Sequence, residues 1–313
     1  NVSHQLNADH EFGMRFFYNH AKYDYDEGYG TVDDDSNGRS KNMMISAYTK
    51  DRLTQNWLST ATLSYNRVDR DYYQTFPSYG SHSQSNYESE TKRLQWDNQI
   101  ALNEDWTAVA GIDVARDDVD VYSLSAYGQS DYSKDRNKYS TYAGILGNQG
   151  DHHFQANARY DHVEDSGAKT TGFLGYSYDI DANWKALANV STAFLAPSVY
   201  QVYDPQYGNK GLKAESSTNY EAGVQYAFGK NQVRLTVFEN HIRDQIASGA
   251  DYKYYNIGRV KNTGIELNAQ SDVFGWFDLK ANVTWQNPKD REQDQRLIRR
   301  SKWFGTVEVS KTL

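Results

Sequence analysis

Strict alternation of apolar and polar side chains over about nine residues recurs along this chain and limits the folds open to it. In the clearest case, Phe277, Leu279, Ala281, Val283 and Trp285 alternate with Asp278, Lys280, Asn282 and Thr284. Successive side chains of a β-strand point to opposite faces, and roughly nine to eleven residues of a tilted strand cross a bilayer as part of a barrel. Only every second residue must then meet lipid, so a polar chain can still have a membrane location.

Composition supports this interpretation and excludes several others. The 313 residues have a mean hydropathy of -0.86, yet they include 26 Tyr, 12 Phe and 7 Trp, far too many aromatic residues for a disordered segment. The sequence contains no apolar run long enough for a helical membrane span. The lack of cysteine excludes disulfides, thiol catalysis and thiolate metal sites. A formal net charge of -8 argues against a broad nucleic-acid-binding surface.

Alternating segments along the whole chain predict about fourteen strands. The clear ones lie at 57–65, 106–114, 154–160, 184–194, 233–237, 265–269 and 277–285. Weaker ones lie at 8–18, 41–50, 89–103, 137–149, 169–180, 216–228 and 300–311. No segment carries an apolar stripe at helical spacing for more than two turns, so we expect almost no helix.

The predicted connections alternate between short and long. The short ones are 103–105, 149–151, 179–183 and 229–231, and the long polar ones are 23–40, 69–87, 118–137, 200–216 and 241–254. Short turns at one end and long loops at the other are typical of an outer-membrane barrel, with the short side periplasmic. A soluble β-sandwich or propeller is the alternative, but it would have shorter strands or a blade repeat, and neither is seen.

One loop carries the pattern of a calcium ligand set. Asp33, Asp35 and Asn37, followed by Gly38, match the first half of an EF-hand loop, in which oxygen ligands alternate and glycine permits a sharp turn. Met44 stands where the closing glutamate would be, so further ligands would have to come from other loops. Candidates there are Asp24, Asp26, Asp69 and Asp71. The alternative is a solvated acidic loop without a metal.

Other patterns do not support catalysis. His152 and His153 have no third ligand nearby and are interpreted as a solvated turn pair. The segment 175–179 fails the nucleophile-elbow motif at its last position, and no phosphate-binding loop or zinc-binding helix motif is present, so we do not expect an enzyme. Tyrosine-rich segments at 72–73, 200–203 and 252–255 could stack on a large ligand or form an interfacial girdle, and the sequence leaves both open.

Four segments resemble motifs of the TonB-dependent outer-membrane receptors. They are Phe194-Leu195-Ala196-Pro197 with Tyr203 beyond it, Gly208-Asn209-Lys210-Gly211-Leu212-Lys213-Ala214-Glu215, the strand pair from Tyr255 to Glu266, and Leu297-Ile298-Arg299-Arg300. Their order and spacing agree with the family across about 190–301. The resemblance implies a large transmembrane antiparallel β-barrel in the bacterial outer membrane, which binds a ligand rather than performing covalent chemistry.

Within that family the chain most resembles the cobalamin receptors. The segments that carry this likeness are 23–30, 33–38 and 66–73. The resemblance implies calcium held by Asp33, Asp35 and Asp71 together with Asp24 or Asp26. It also implies ligand contacts from Tyr72, Tyr73 and Tyr203.

The family also sets expectations for partners and domains. We expect cobalamin as the ligand, TonB as the source of energy through a plug segment, and lipid and lipopolysaccharide around the barrel. A ferric-siderophore or haem receptor is the alternative on the same fold, and a passive porin is a further one. A barrel of this type has about 22 strands. We therefore expect residues 1–313 to be an incomplete portion of the barrel, with the plug domain and the last strands outside this chain.

Overall fold

A computed structural model describes residues 1–26, 34–77, 80–126, 128–273 and 275–311. Within them lie seventeen strands and one five-residue helix. The strands are β1 (Val2–Asn7), β2 (His10–Asp24), β3 (Asp35–Thr54), β4 (Trp57–Phe76), β5 (Ser81–Ala101), β6 (Trp106–Ser125), β7 (Gly128–Gln149), β8 (His152–Val163), β9 (Gly167–Asp179), β10 (Trp184–Leu195), β11 (Glu215–Phe228), β12 (Asn231–Arg243), β13 (Ile246–Ser248), β14 (Tyr254–Asn256), β15 (Arg259–Val273), β16 (Phe277–Asp290) and β17 (Trp303–Ser310); helix α1 is Val199–Tyr203.

Fifteen of the strands form one antiparallel sheet in which neighbours in sequence are neighbours in space. Its order is β1 to β12, then β15, β16 and β17, and β13 pairs with β14 as a separate hairpin. Each edge strand, β1 or β17, has a single partner among the described residues. The predicted all-β antiparallel class is therefore confirmed, and the arrangement is the nearest-neighbour meander of a barrel wall.

Among the described residues, no helix is long and apolar enough to cross a membrane.

The two faces of the sheet differ sharply in chemistry. On the outer face, Val224, Leu235, Leu267 and Val283 lie directly opposite one another on four successive strands, and the last three are each 42–43% exposed. An apolar row left open in this way suits lipid. We therefore place Leu235, Leu267 and Val283 on the lipid face, as the alternation predicts.

The inner face carries hydrogen-bonded ion pairs at the same depth. Arg93 pairs with Asp113, and Arg159 bridges Asp113 (3.4 Å) and Asp161 (2.8 Å). The Ser140 hydroxyl donates a further hydrogen bond to Asp161 (2.6 Å). Charged groups are costly against lipid but suit a polar lumen, so this network identifies the inner side.

Aromatic side chains mark the lower edge of the apolar band, next to the short turns. Ring centroids are 5.2 Å apart for Phe154 and Tyr176 and 4.7 Å apart for Trp184 and Tyr226. Outward aromatic rings at this level are typical of the interfacial girdle of a membrane barrel. These girdle residues come from strand ends, whereas the tyrosines of 72–73 and 200–203 lie at the opposite end of the sheet.

Several sequence-based boundaries were wrong, and for one reason. The stretches 69–87 and 118–137 are mostly strand, because β4 runs to Phe76 and β5 begins at Ser81, while β6 runs to Ser125 and β7 begins at Gly128. Polar strands that rise above the membrane have no apolar face to signal them. For the same reason the sequence did not reveal β13 or β14. It also missed β1, which is six residues long and joins β2 at the short-turn end.

The first prediction tests the assignment of faces. Leu267→Arg in the full-length protein should lower the free energy of unfolding in a bilayer by about 2–4 kcal/mol, because a charge near the midplane meets hydrocarbon. Leu279→Arg should cost only about 0–1 kcal/mol, because Leu279 lies two residues from the start of β16 and hence near the interface. Lys280→Arg, on the inner face, is the control and should be nearly silent. Equal losses at Leu267 and Lys280 would show that the strand phase is wrong.

The second prediction tests which end is extracellular. Cysteines placed at Asn37 and Asn209 lie at the long-loop end and should both react with an impermeant maleimide on whole cells. Lys210→Cys gives the same readout without removing the hydrogen bonds that Asn209 makes. Asp151→Cys, in a short turn at the other end, should stay unlabelled until the outer membrane is opened. Labelling of only one of the two upper sites would contradict the topology.

Candidate functional site

Three of the predicted carboxylates share one face at the long-loop end of β2, β3 and β4. Asp24 lies opposite Asn37, which lies opposite Tyr73. Asp35 and Asp71 are each two residues from this row, so they point to the same, outer side. We term Asp24, Asp35, Asp71 and Tyr73 the carboxylate surface.

Asp71 is the best-defined member of the carboxylate surface. It accepts hydrogen bonds from Asn86 Nδ2 (2.6 Å) and Arg39 Nε (2.7 Å). Partial burial raises the pKa of Asp71, but the hydrogen bonds from Asn86 and Arg39 outweigh it and hold the pKa below its ordinary value. The carboxylate is therefore ionised at neutral pH, and an arginine already partners it.

The remaining predicted ligands are placed less completely. Asp26 follows the end of β2, and Asp33 lies outside the described residues. A cavity of about 440 Å³ at this end is lined by Asp24, Asp71, Tyr72 and Tyr73 among others. Within the described ranges, no three histidine, aspartate or glutamate side chains are grouped closely enough to hold a metal ion. The calcium site stays a prediction.

Gly38 has a different role from the one that the loop motif suggested. It lies within β3, opposite Tyr23 and Tyr72, and not in a sharp turn. A Cβ atom at Gly38 would stand 2.6 Å from the ring of Tyr23. The glycine therefore makes room for a tyrosine ring on the inner face, and the turn expected at this position was wrong.

A row of tyrosines runs across the inner face at the same end. Ring centroids are separated by 6.1 Å between Tyr23 and Tyr25, 6.3 Å between Tyr25 and Tyr72, and 6.1 Å between Tyr72 and Tyr87. Because neighbouring residues of a strand point to opposite faces, Tyr72 joins this inner row while Tyr73 joins the carboxylate surface. The two tyrosines predicted together are thus separated by the sheet.

The tyrosine row leads to a cavity of about 660 Å³ between the wall and the segment 196–214. Its lining includes Arg70, Tyr72, Tyr87, Arg136 and Tyr200, together with the acidic Glu88 and Asp117. Arginines and aromatic rings together form a surface that can stack on and pair with a large, flat or anionic ligand. Only Tyr72 of this set was predicted as a ligand contact.

The segment 196–214 is held against the wall by one buried ion pair. Arg136 bonds to Asp165 (2.6 and 3.0 Å) and donates a third hydrogen bond to the Pro197 carbonyl oxygen (2.9 Å). The side chains of Arg136 and Asp165 are only 7% and 11% exposed. Arg136 thus joins β7, the turn after β8 and the start of the segment at one point.

Helix α1 forms the part of the segment that faces the cavity. Ser198 accepts a hydrogen bond from the Gln201 amide, and Gln201 accepts one from the Ser198 amide, a reciprocal cap that fixes the first turn. Burial, with the nearby charge of Asp204, raises the pKa of Tyr200. Tyr203 lies beside this cavity, where Lys134 Nζ stands 5.0 Å from its ring centroid. The predicted Tyr203 is thus close to the site but engaged by a lysine.

The far end of the segment is tied to the β13–β14 hairpin. Asn209 Nδ2 donates a hydrogen bond to the Tyr254 carbonyl oxygen (2.8 Å), and the Tyr254 amide donates one to the Tyr207 carbonyl oxygen (3.1 Å). Asn256 accepts from the Lys213 amide and donates back to the Lys213 carbonyl oxygen (2.8 and 2.9 Å). The segment and the hairpin therefore form one connected unit over the cavity.

Sequence reasoning missed Arg70, Tyr87 and Arg136 as site residues, and it named Tyr200 only within the segment 200–203 that could stack on a ligand. No apolar alternation marks Arg70, because it lies on the inner face of β4 beyond the predicted end of that strand, between Asp69 and Asp71. The partners of Arg136 are 29 and 61 residues away in sequence. No local pattern could have indicated that contact.

Residues 3–311 match the family described as TonB dependent receptor-like, beta-barrel. The chain is 26% identical over 305 residues to the vitamin B12 transporter BtuB of Photobacterium profundum, covering 94% of this chain and 48% of the relative. It is also 26% identical over 251 residues to the vitamin B12 transporter BtuB of Vibrio cholerae, covering 79% of this chain and 39% of that protein. The chain thus spans about half or less of the length of these curated relatives.

Solved structures show the same fold at lower identity. The ferric yersiniabactin uptake receptor FyuA from Yersinia pestis superimposes with a TM-score of 0.78 at 13% identity, covering 96% of this chain and 53% of that one. The RagAB peptide importer in its closed-closed state gives a TM-score of 0.70 at 13% identity, with 94% and 46% covered. These similarities confirm a barrel wall of the predicted type.

The third prediction concerns the anchor of the segment. Arg136→Ala should destabilise the docked segment by about 3–5 kcal/mol, because Asp165 is left charged and buried without its partner. Amide hydrogen exchange over residues 196–214 of the full-length receptor should accelerate accordingly. Arg116→Ala removes two ion pairs of an arginine that is 51% exposed, and should change the same exchange by less than about 1 kcal/mol. Equal protection in both variants would contradict an anchoring role for Arg136.

Proposed function

This chain belongs to the TonB-dependent receptor-like β-barrel family, and from that premise we propose that it forms part of an active importer in the bacterial outer membrane. In this proposal the long-loop end captures a large, scarce ligand outside the cell. TonB supplies the energy for passage by acting on a plug segment outside residues 1–313. The observation that carries the proposal is the cavity of about 660 Å³ on the inner face, lined by arginines and tyrosines beneath an anchored segment.

The ligand proposed for the receptor is cobalamin. Two curated relatives of the chain are vitamin B12 transporters in name, at modest identity. The row formed by Tyr25, Tyr72 and Tyr87 offers successive aromatic faces on the way into the cavity. Aromatic side chains bury a large contact area with few rotatable bonds, which suits a broad, rigid ligand. Tyr203 contributes at the edge of the cavity, beside Lys134.

Calcium is proposed as the ion that orders the carboxylate surface. Asp24, Asp35 and Asp71 share a face, and Asp26 and Asp33 lie in the sequence between Asp24 and Asp35. Crowded carboxylates repel one another, whereas a divalent ion converts the repulsion into coordination. Calcium binding would require the Asp71 carboxylate to bond both Arg39 and the ion, or to release Arg39 in favour of the ion. Ordering the loops beforehand would remove an entropic cost from ligand capture.

A ferric-siderophore or haem receptor is the second candidate. Arg70 lines the inner cavity and has no ion pair among the described residues, so it could meet a ligand that carries negative charge. Arg136 is already paired with Asp165, and Glu88 and Asp117 line the same cavity. The solved structure of a ferric yersiniabactin receptor shares the fold, although at 13% identity it bears on the fold alone. Calcium dependence separates the two candidates, because only the cobalamin proposal invokes the carboxylate surface.

The fourth prediction is that cobalamin binding by the full-length receptor depends on calcium. Binding should weaken in a chelator and recover on addition of calcium but not magnesium, which prefers a tighter octahedral shell. Asp35→Asn combined with Asp71→Asn should weaken binding to the level seen in chelator. Asp105→Asn combined with Asp151→Asn, at the short-turn end, is the matched control and should leave affinity unchanged.

Arg39→Gln distinguishes a metal site from a simple ion pair. If Asp71 acts only through Arg39, this variant should lose affinity as the aspartate variants do. If Asp71 binds calcium, Arg39→Gln should keep the affinity for cobalamin and should lower the calcium concentration that this binding requires. Unchanged cobalamin binding in both the chelator and the aspartate variants would reject calcium. Failure to bind cobalamin under any of these conditions, with binding of a ferric siderophore, would favour the second candidate.

A further inference from the structure

The cavity of about 660 Å³ on the inner face is lined, among the described residues, by four charged ones: Arg70, Glu88, Asp117 and Arg136. Three of these have a partner of opposite charge. The partners are Asp165 for Arg136 (2.6 Å), Lys138 for Asp117 (2.7 Å) and Arg67 for Glu88 (2.8 Å). Arg70 forms no ion pair and no hydrogen bond with any described residue. The lining therefore keeps one positive charge that the described chain does not neutralise.

Arg70 lies among the aromatic rings of the inner tyrosine row. It is two residues from Tyr72 on β4, so the two side chains share the inner face, and it lies directly opposite Tyr87 of β5. Interaction with the Tyr72 hydroxyl raises the pKa of Tyr23, and the positive charge of Arg70 opposes that rise. The guanidinium group therefore stands within the row of rings, and Arg70 is exposed to solvent.

The uncharged part of the lining is aromatic and aliphatic for the most part. Its aliphatic members are Val68, Val119, Val121 and Val199, of which the last two are buried. An ionised group that leaves water for such a lining needs a partner of opposite charge there. A ligand with one fixed negative charge would find that partner in Arg70, whereas a ligand with several would leave the others unpaired. The charge of the cavity therefore suits a ligand with a single anionic group.

Cobalamin, the ligand proposed above, has one anionic group of this kind. Its broad corrin ring carries neutral carboxamide side chains, and a single phosphodiester joins the nucleotide to the ring. A planar guanidinium group can donate two parallel hydrogen bonds to phosphate oxygens, which an ammonium group cannot match in geometry. Aromatic side chains beside the guanidinium group suit the broad ring system of the same molecule.

We propose that Arg70 binds the phosphodiester of cobalamin and thereby selects the complete molecule over corrinoids that lack the nucleotide. The inner tyrosine row then contacts the ring system while Arg70 holds the phosphate. This inference rests on the cobalamin proposal and adds to it the residue that recognises one part of the ligand. Arg70 faces the lumen, so its contact is separate from the carboxylate surface and from any calcium bound there.

The test compares the binding of cobalamin with that of cobinamide, a corrinoid without the nucleotide and its phosphodiester, to the full-length receptor in saturating calcium. The parent should bind cobalamin more tightly than cobinamide. Arg70→Gln should weaken cobalamin binding about tenfold, as expected for a lost hydrogen bond to a charged group, and should leave cobinamide binding unchanged. Arg70→Lys should retain part of the preference, because the charge stays while the planar fork is lost. The matched control is Arg234→Gln, which removes an inner-face arginine at the short-turn end that has no ion pair among the described residues, and it should change neither affinity.

A second measurement separates ligand recognition from a structural role. Without ligand, Arg70→Gln should have the same unfolding midpoint as the parent, because Arg70 has no bonded partner among the described residues. A lower midpoint would overturn the proposal, since the arginine would then stabilise the protein itself. Equal weakening of both corrinoids by Arg70→Gln, no weakening of either, or a parent that binds the two equally would also overturn it. A parent that binds neither corrinoid would reject the cobalamin proposal itself, and this inference with it.

Discussion

The backbone hydrogen-bond ladder is the constraint on which the rest of this structure depends. Lipid offers no partner to a peptide N–H or C=O group, so each must be bonded within the protein. The chain meets this requirement by pairing each strand with its neighbours in sequence, from β1 to β12 and on through β15 to β17. Pairing in register leaves only the side chains to meet lipid or lumen. The period of two in the sequence follows directly from that arrangement.

The same register builds the functional surfaces above the membrane. On β4, Leu63 faces lipid, and eight residues further along the same face Asp71 belongs to the carboxylate surface. Ser64 faces the lumen, and eight residues beyond it Tyr72 belongs to the inner tyrosine row. A strand that crosses the membrane therefore delivers two different surfaces to its outer end. The aspartates of the carboxylate surface could be chosen from the sequence by residue type, but only the register shows that they share a face.

Sequence reasoning could predict what depends on alternation alone. It placed Leu267 and Val283 on one face, because lipid demands an uninterrupted apolar face. It ended several strands too early, because above the membrane both faces are polar and the alternation fades into what resembles a loop. It could not predict the anchored segment, because Arg136 meets Asp165 and the Pro197 carbonyl oxygen only after β7, β8 and that segment are in place. The Pro197 motif was informative as a resemblance, but its physical role appears only in that contact.

The balance of charge then distinguishes groups that hold the protein together from groups that meet something else. Arg136 is buried, donates three hydrogen bonds and anchors the segment 196–214 to the wall. Its charge is therefore neutralised within the chain. Arg243 and Arg259 are exposed, lie opposite each other and have no bonded counter-ion among the described residues. A buried arginine must be paired within the fold, because its charge is removed from water, whereas water solvates an exposed arginine that has no partner. Arg136 is therefore a structural group, and Arg70 is the arginine left to meet a ligand in the inner cavity. The sheet keeps that lumen-facing chemistry apart from the exposed cations of its outer face.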